Sequence, residues 1–173
     1  MIVIFTQKKP ERRRIRGREQ ETVKMTESKR WIHFLRIFLL GAALSLVWGA
    51  VSWLLHLDRI FPDVASERLF SVSLPKQIIL YGFVSPFVEE LAFRQLLFFL
   101  LCKVFPTELS AVIASAAFAL WHGNLIQIFY AFPMGMLFQY LKEKDRTLIS
   151  PVCCHSGANL AAVIVKAAAS GNL

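Results

Sequence analysis

Two adjacent carboxylates, Glu89 and Glu90, interrupt an otherwise apolar run from Phe83 to Phe93, and Arg94 follows directly. Insertion scales charge about 2.5 to 3.5 kcal/mol for Asp at the centre of a membrane-spanning helix. A glutamate pair in such a place therefore does chemistry, carries ions or holds a bundle together. Glu90 and Arg94 are four residues apart, so on a helix they share a face. Arg94 cannot shed its charge and needs a carboxylate inside a bundle; Glu90 is the one in register. Glu89 lies about 140° around the helix from Arg94 and is free to face elsewhere. A carboxylate held away from water can take a proton from a reacting water as a general base. The bland alternative is that both glutamates only brace Arg94.

Two further polar islands stand on other apolar segments. Phe118 precedes His122 by one helical turn and can pack beside its imidazole. His155 and Asn159 are four apart and project to one side of their helix, with Gly157 and Ala158 keeping the neighbouring surface small enough for close helix approach. Taken singly, each is compatible with a core histidine or an interhelical hydrogen bond. Together, one unpaired Glu, two His and one Asn can build a hydrolytic centre. Glu and one His polarise water, while the other His and the Asn donate to the oxyanion of a tetrahedral intermediate. Glu89, His122 and His155 are also nitrogen and oxygen donors of the kind that hold a catalytic zinc with an open fourth position. No His-Glu-x-x-His motif is present.

The order Glu-Glu-x-x-x-Arg, Phe-x-x-x-His, His-x-x-x-Asn, each on its own apolar segment, resembles the CPBP family of intramembrane proteases. That family comprises type II CAAX prenyl endopeptidases and bacteriocin-processing or bacteriocin-immunity relatives, also called the Abi family. The resemblance runs from Pro86 to Asn159. It implies Glu89 and His122 as water-activating residues, His155 and Asn159 as oxyanion support, and Glu90 and Arg94 as part of the first motif. Both a metalloprotease and a metal-free glutamate mechanism are held for the family. After Arg94 the family commonly has Gly, where this chain has Gln95, and many members carry additional N-terminal spans.

Composition says what must position these residues. Of 173 residues 55% are hydrophobic, against 45–50% for ordinary soluble domains. The mean hydropathy is +0.50. The expected fold is an all-α, polytopic transmembrane bundle enclosing a buried polar site. Five apolar segments can be drawn: 34–57, 77–101, 109–121, 125–141 and 147–169. The second and fifth carry the polar residues, so they face protein or a water-filled cavity rather than lipid. A loop with Pro62 and Pro75 joins the first two, with a surface helix expected around Val64 to Phe70.

The charge is uneven. Residues 1–36 hold eleven Lys/Arg, and residues 1–30 read as a disordered basic arm ahead of a protease-like domain at 31–173. Met25 is the expected true start, residues 1–24 being an over-extended reading of the gene. A basic arm before an apolar span marks the cytoplasmic flank, and no basic stripe with interleaved aromatics suits a nucleic acid. Lys103, Lys142, Lys144 and Arg146 fall on the same side as the arm, against Arg59, Arg68 and Lys76 on the other. The N-terminus is therefore expected in the cytoplasm and the C-terminus outside, in the inner (plasma) membrane. Cys102, Cys153 and Cys154 give no disulfide framework. Cys153 and Cys154 point about 100° apart on a helix and cannot share one ion with His155.

The expected function is an intramembrane endopeptidase acting on a membrane-associated protein or peptide, a prenylated CAAX-type protein being one class. The rivals are a non-catalytic membrane scaffold, a bacteriocin self-immunity protein, and a transporter with a carboxylate relay, for which the sequence offers no inverted repeat.

Overall fold

A computed structural model describes residues 27–57 and 72–170. The expected start at Met25, residues 1–26 of the arm and the surface helix near Val64 lie outside the described residues; residues 27–30, expected to be disordered with the arm, are helical. The chain divides into two units, 1–32 and 33–173. In the first, the described residues 27–32 open a helix in which Arg30 pairs with Glu27 at 3.7 Å. The second holds everything that follows.

Among the described residues the structure is helical, without strands. Helix α1 is Glu27–Leu54. Helix α2 is a composite rod over 74–101, assembled from Leu74–Ile79, Leu80–Val84, Ser85–Glu90, Leu91–Leu97 and Phe98–Leu101. Helix α3 is Thr107–Trp121, α4 is Leu125–Asp145 and α5 is Ile149–Ala169. These five reproduce the five apolar segments, with shifted ends. α1 begins seven residues earlier than its apolar stretch because the polar turn at Glu27-Ser28-Lys29-Arg30 is itself helix-forming. α4 runs past Leu141 through Lys142-Glu143-Lys144 for the same reason. It ends where Arg146 turns left-handed at φ 52°.

The turn between α3 and α4 is built by two residues. Gly123 takes φ 64°, which a side chain would resist. The Asn124 side-chain oxygen then caps α4 by accepting from the Ile126 N–H at 2.9 Å and the Gln127 N–H at 3.5 Å.

Two helices, α1 and α5, are long and apolar enough to cross a membrane by length and composition. Large apolar side chains such as Leu39, Phe87, Phe99, Phe129 and Ile164 are exposed along the rods. Lipid is the solvent that makes this surface favourable, and the chain is an all-α helical membrane protein. α5 is the central element: 39% of its apolar window is buried inside the protein, against 11% for α1. The core gathers Ile37, Phe118, Ala119, Ala131, Met134, Phe138, Leu141, Cys154 and Ala158.

α1 meets α5 backbone to backbone. A Cβ on Gly41 would run into the Cys154 carbonyl, and one on Gly157 into the Phe38 carbonyl. Neither obstacle can rotate away. Gly157→Val is therefore expected to cost about 3 kcal/mol, the upper end of the overpacking range. Gly49, whose Cβ would meet open space, tolerates Ala by the same measurement. Denaturant unfolding in detergent micelles checks both, and equal costs at the two positions would refute the close seam.

Below that seam a polar clasp joins α1, α4 and α5. His33 Nε2 lies 2.8 Å from Asp145 Oδ2, and Ser150 Oγ donates to the same oxygen at 2.5 Å. Burial pushes the Asp145 carboxyl up. The hydrogen bonds from Ser150 and His33 and the nearby charges of His33 and Lys144 outweigh it, and the net direction is down from the ordinary 3.8. A depressed carboxyl stabilises the fold above the unfolded value and loses that contribution as pH falls through the folded value. Asp145→Asn is thus expected to unfold more readily at pH 7, by about 1 kcal/mol. Its gap to the native protein should close as pH drops below 3.8, read from unfolding midpoints across a pH series.

Candidate active site

The catalytic candidates on α2 sit between two π-helical stretches. Pro86 has no N–H to return to the Gly82 carbonyl, so the ladder widens and the Ser85 N–H bonds the Leu80 carbonyl five residues back. Further on, the Arg94 carbonyl is taken by Lys142 Nζ at 2.6 Å. The Phe98 N–H goes instead to Phe93, again five back. Between these widenings, the regular turn Ser85–Glu90 presents both glutamates.

Glu90 is fully buried and faces two partners. Its Oε2 lies 3.2 Å from Arg94 Nε, and its Oε1 is 2.9 Å from His155 Nδ1. The Arg94 contact is close but lacks hydrogen-bond alignment, since neither atom counts as hydrogen-bonded. It is a Coulombic pair. The Arg94 guanidinium is also fully buried, and its Cζ lies 4.2 Å from the Phe118 ring centre and 5.4 Å from that of Phe138. Two aromatic faces thus receive the part of the cation that Glu90 does not.

Glu89 points elsewhere, as the 140° offset requires. Ser85 Oγ donates to its Oε1. Its Oε2 is 3.8 Å from His155 Nε2, near enough for attraction and too far for a direct hydrogen bond. Its side chain keeps 16% exposure, whereas that of Glu90 keeps none. His155 therefore lies between the two glutamates, Nδ1 to Glu90 and Nε2 towards Glu89. Phe138 stacks on the His155 ring at 4.8 Å and Phe118 meets its edge at 5.6 Å, fixing the plane of the imidazole.

His122 caps the end of α3. Its Nδ1 is 2.9 Å from the Phe118 carbonyl and its ring lies 4.9 Å from the Phe118 ring. If Nδ1 carries the proton, Nε2 is left as the outward atom. Asn159 Nδ2 donates to the Tyr81 carbonyl at 2.9 Å, which ties α5 to the first π stretch of α2. One amide hydrogen of Asn159 remains for another acceptor.

A cavity of about 420 Å³ joins these pieces. His155, Phe118 and Phe138 line it, with His122, Asn159 and the Trp48–Tyr130 pair, whose rings stack at 5.6 Å. Of the residues singled out from sequence, His122, His155, Asn159 and Phe118 share this cavity. Glu89 reaches the group through His155, and Glu90 and Arg94 lie behind it. The imidazole beside Glu89 is that of His155. Sequence reasoning missed Phe138 and Lys142, which nothing distinguished from other apolar and basic residues. It also missed Ser85, whose place one turn before Glu89 was a readable signal.

Among the described residues, no three His, Cys, Asp or Glu side chains gather as a metal-holding group. His155 Nδ1 is engaged by Glu90, the kind of hydrogen bond that orients an imidazole, and this turns Nε2 towards Glu89.

Comparison with known proteins gives a consistent family. The sequence matches the family described as type II CAAX prenyl endopeptidase Rce1-like over residues 71–161. It is 27% identical over 94 residues to a Bacillus subtilis (strain 168) protein named "Putative membrane peptidase YdiL", covering 54% of this chain and 38% of that protein. The chain thus spans less than two fifths of that relative's length. No solved structure matches. The matched stretch holds α2 to α5 as far as Ala161, and with it Glu89, His122, His155 and Asn159: the chain belongs to the type II CAAX prenyl endopeptidase Rce1-like family.

Proposed function

We propose that the protein is an intramembrane endopeptidase that hydrolyses a peptide bond of a membrane-associated protein or peptide. The carrying observation is the relay Glu89, His155, Glu90, Arg94 behind a cavity that also holds His122 and Asn159. In this reading Glu90 accepts from His155 Nδ1–H and so turns Nε2 towards Glu89. Arg94 neutralises Glu90 from behind. Glu89 and His155 polarise a water at the cavity floor. Glu89 takes its proton as oxygen attacks the scissile carbonyl, and returns it to the leaving amine. Asn159 and His122 supply the polar groups for the oxyanion. Water activation is assigned to side chains, with no metal step. The family description names prenylated CAAX proteins, and a protein of that type is one substrate class within the reading.

The test compares protein termini in membranes from native, Glu89→Gln and deletion cells. A terminus made only by the native strain supports proteolysis and identifies a substrate. Identical termini in all three, with the protein present, favour a non-catalytic scaffold or immunity role instead.

A further inference from the structure

The wall behind the relay holds more polar atoms than the side chains around it satisfy. Arg94 is fully buried, Ser115 on α3 is 1% exposed and Gln139 on α4 is 3% exposed. Among the described residues, Arg94 Nε, Nη1 and Nη2, Ser115 Oγ and Gln139 Oε1 have no hydrogen-bonded partner. Ser115 does not even turn back to the carbonyl one turn earlier, the usual resort of a serine inside a helix. A buried donor or acceptor left alone keeps its full desolvation penalty, and nearly all such groups in folded proteins are paired with protein or with ordered water. Here several occur together, on three helices.

These atoms share one place. A Cβ on Gly135 of α4 would lie 3.0 Å from Arg94 Nη2 and 3.1 Å from Ser115 Cβ. The two atoms are therefore no more than about 6 Å apart, a span that one hydrogen-bonded water bridges. Gln139 follows Gly135 by four residues and precedes Lys142 by three, so the three share a face of α4. Gly135 meets the Arg94 guanidinium and Lys142 takes the Arg94 carbonyl, which sets Gln139 alongside the same side chain. The Gln139 amide nitrogen is committed to Glu143 Oε1 at 3.0 Å, and this leaves Oε1 as the interior end.

Donor and acceptor types select the occupant. Arg94 only donates, Gln139 Oε1 only accepts and Ser115 Oγ does both. An occupant must accept from the guanidinium and donate to the amide oxygen, as water does. An anion would accept from Arg94 but leave Gln139 Oε1 unpaired, and it would be repelled by Glu90, whose Oε2 is 3.2 Å from Arg94 Nε. A metal cation would be repelled by the guanidinium. The rings of Phe118 and Phe138 attract the charge of Arg94 but offer no oxygen to its N–H groups.

We infer that Arg94, Ser115 and Gln139 hold a buried water site between α2, α3 and α4. Three partners match the usual coordination of an internal water. The site is separate from the 420 Å³ cavity, whose lining includes none of the three. It completes the hydrogen bonding of the guanidinium on the side away from Glu90, and it stands whether or not the cavity hydrolyses peptides.

The test is a crystal structure of the full chain, grown in a lipid mesophase at a resolution that shows ordered water. A peak is expected within about 2.5 to 3.2 Å of an Arg94 guanidinium nitrogen, of Ser115 Oγ and of Gln139 Oε1. Direct bonds from Arg94 to Ser115 or Gln139, with no peak among them, overturn the site. Crystals grown in bromide check the rival occupant, and an anomalous peak there would make it an anion site and overturn the water assignment. Thermal unfolding of Ser115→Ala in detergent gives an independent sign. Loss of a water ligand is expected to lower Tm by about 2 to 4 °C. An idle buried hydroxyl would be relieved by Ala, so an unchanged or raised Tm overturns the role of Ser115. If the variant does not fold, the native crystal still decides.

Discussion

Glu89→Gln is expected to lower kcat about 100- to 10,000-fold, the range a positioned general base supplies, with folding unchanged. Gln has almost the shape of Glu, and its carbonyl oxygen still accepts from Ser85. It loses the charge that faces His155 Nε2 and the ability to take a proton from water. The residue keeps some exposure and is not one of the buried ionic partners, so removing its charge leaves no uncompensated cation in the core. KM should move little, because the cavity walls are made by other residues. The measurement is the rate on a substrate found by terminus mapping, beside the thermal unfolding curve of the same preparation. A variant with near-native rate would remove Glu89 from the mechanism; one that unfolds would make it a structural residue.

Arg94→Met is expected to cost about 3 to 5 kcal/mol of stability, the penalty for breaking a buried pair from one side. Glu90 has no exposure with which to recover solvent, and the guanidinium is its nearest opposite charge. The aromatic faces of Phe118 and Phe138 would also lose their cation. Changing both residues, as Glu90→Met with Arg94→Met, is expected to restore much of the stability, since similar volumes replace a costly pair. Activity should stay low in the double variant. His155 Nδ1 would have lost its acceptor, and nothing else named here turns Nε2 towards Glu89. Unfolding and rate measured on the four members of the cycle separate the two roles. A single Arg94→Met cost below about 1 kcal/mol would mean that the pair is not what holds this part of the bundle.

Much of the architecture could be read before any coordinates, because apolar length and polar punctuation are local properties. The Glu90–Arg94 contact was legible for the same reason: four residues on a helix is a fixed geometry. The 140° offset likewise separated the two glutamates, and they do take different partners. What spacing could not give was which helix faces which. That Glu89 stands beside His155 and that Glu90 holds the far nitrogen of the same ring depend on how α5 seats on α2. Phe138 was invisible because a chain with 15 Phe offers no reason to select one. The clasp brings His33 to Asp145 and Ser150, more than a hundred positions away along the chain and beyond any periodicity. The π stretches were half legible: Pro86 marks the first, whereas the second depends on Lys142 drawing the Arg94 carbonyl off the ladder.

Those two π stretches have a consequence for how the rod can change over generations. A π turn is an α turn carrying one surplus residue. A deletion there can be absorbed by tightening to α geometry, and a surplus elsewhere can migrate into it, without rotating the flanking turns. Ser85–Glu90 is bracketed by one such slack element on each side. The six residues that aim the two carboxylates are therefore buffered from insertions and deletions in either half of the rod. The lipid-facing ends can gain or lose length while the chemical centre keeps its bearing.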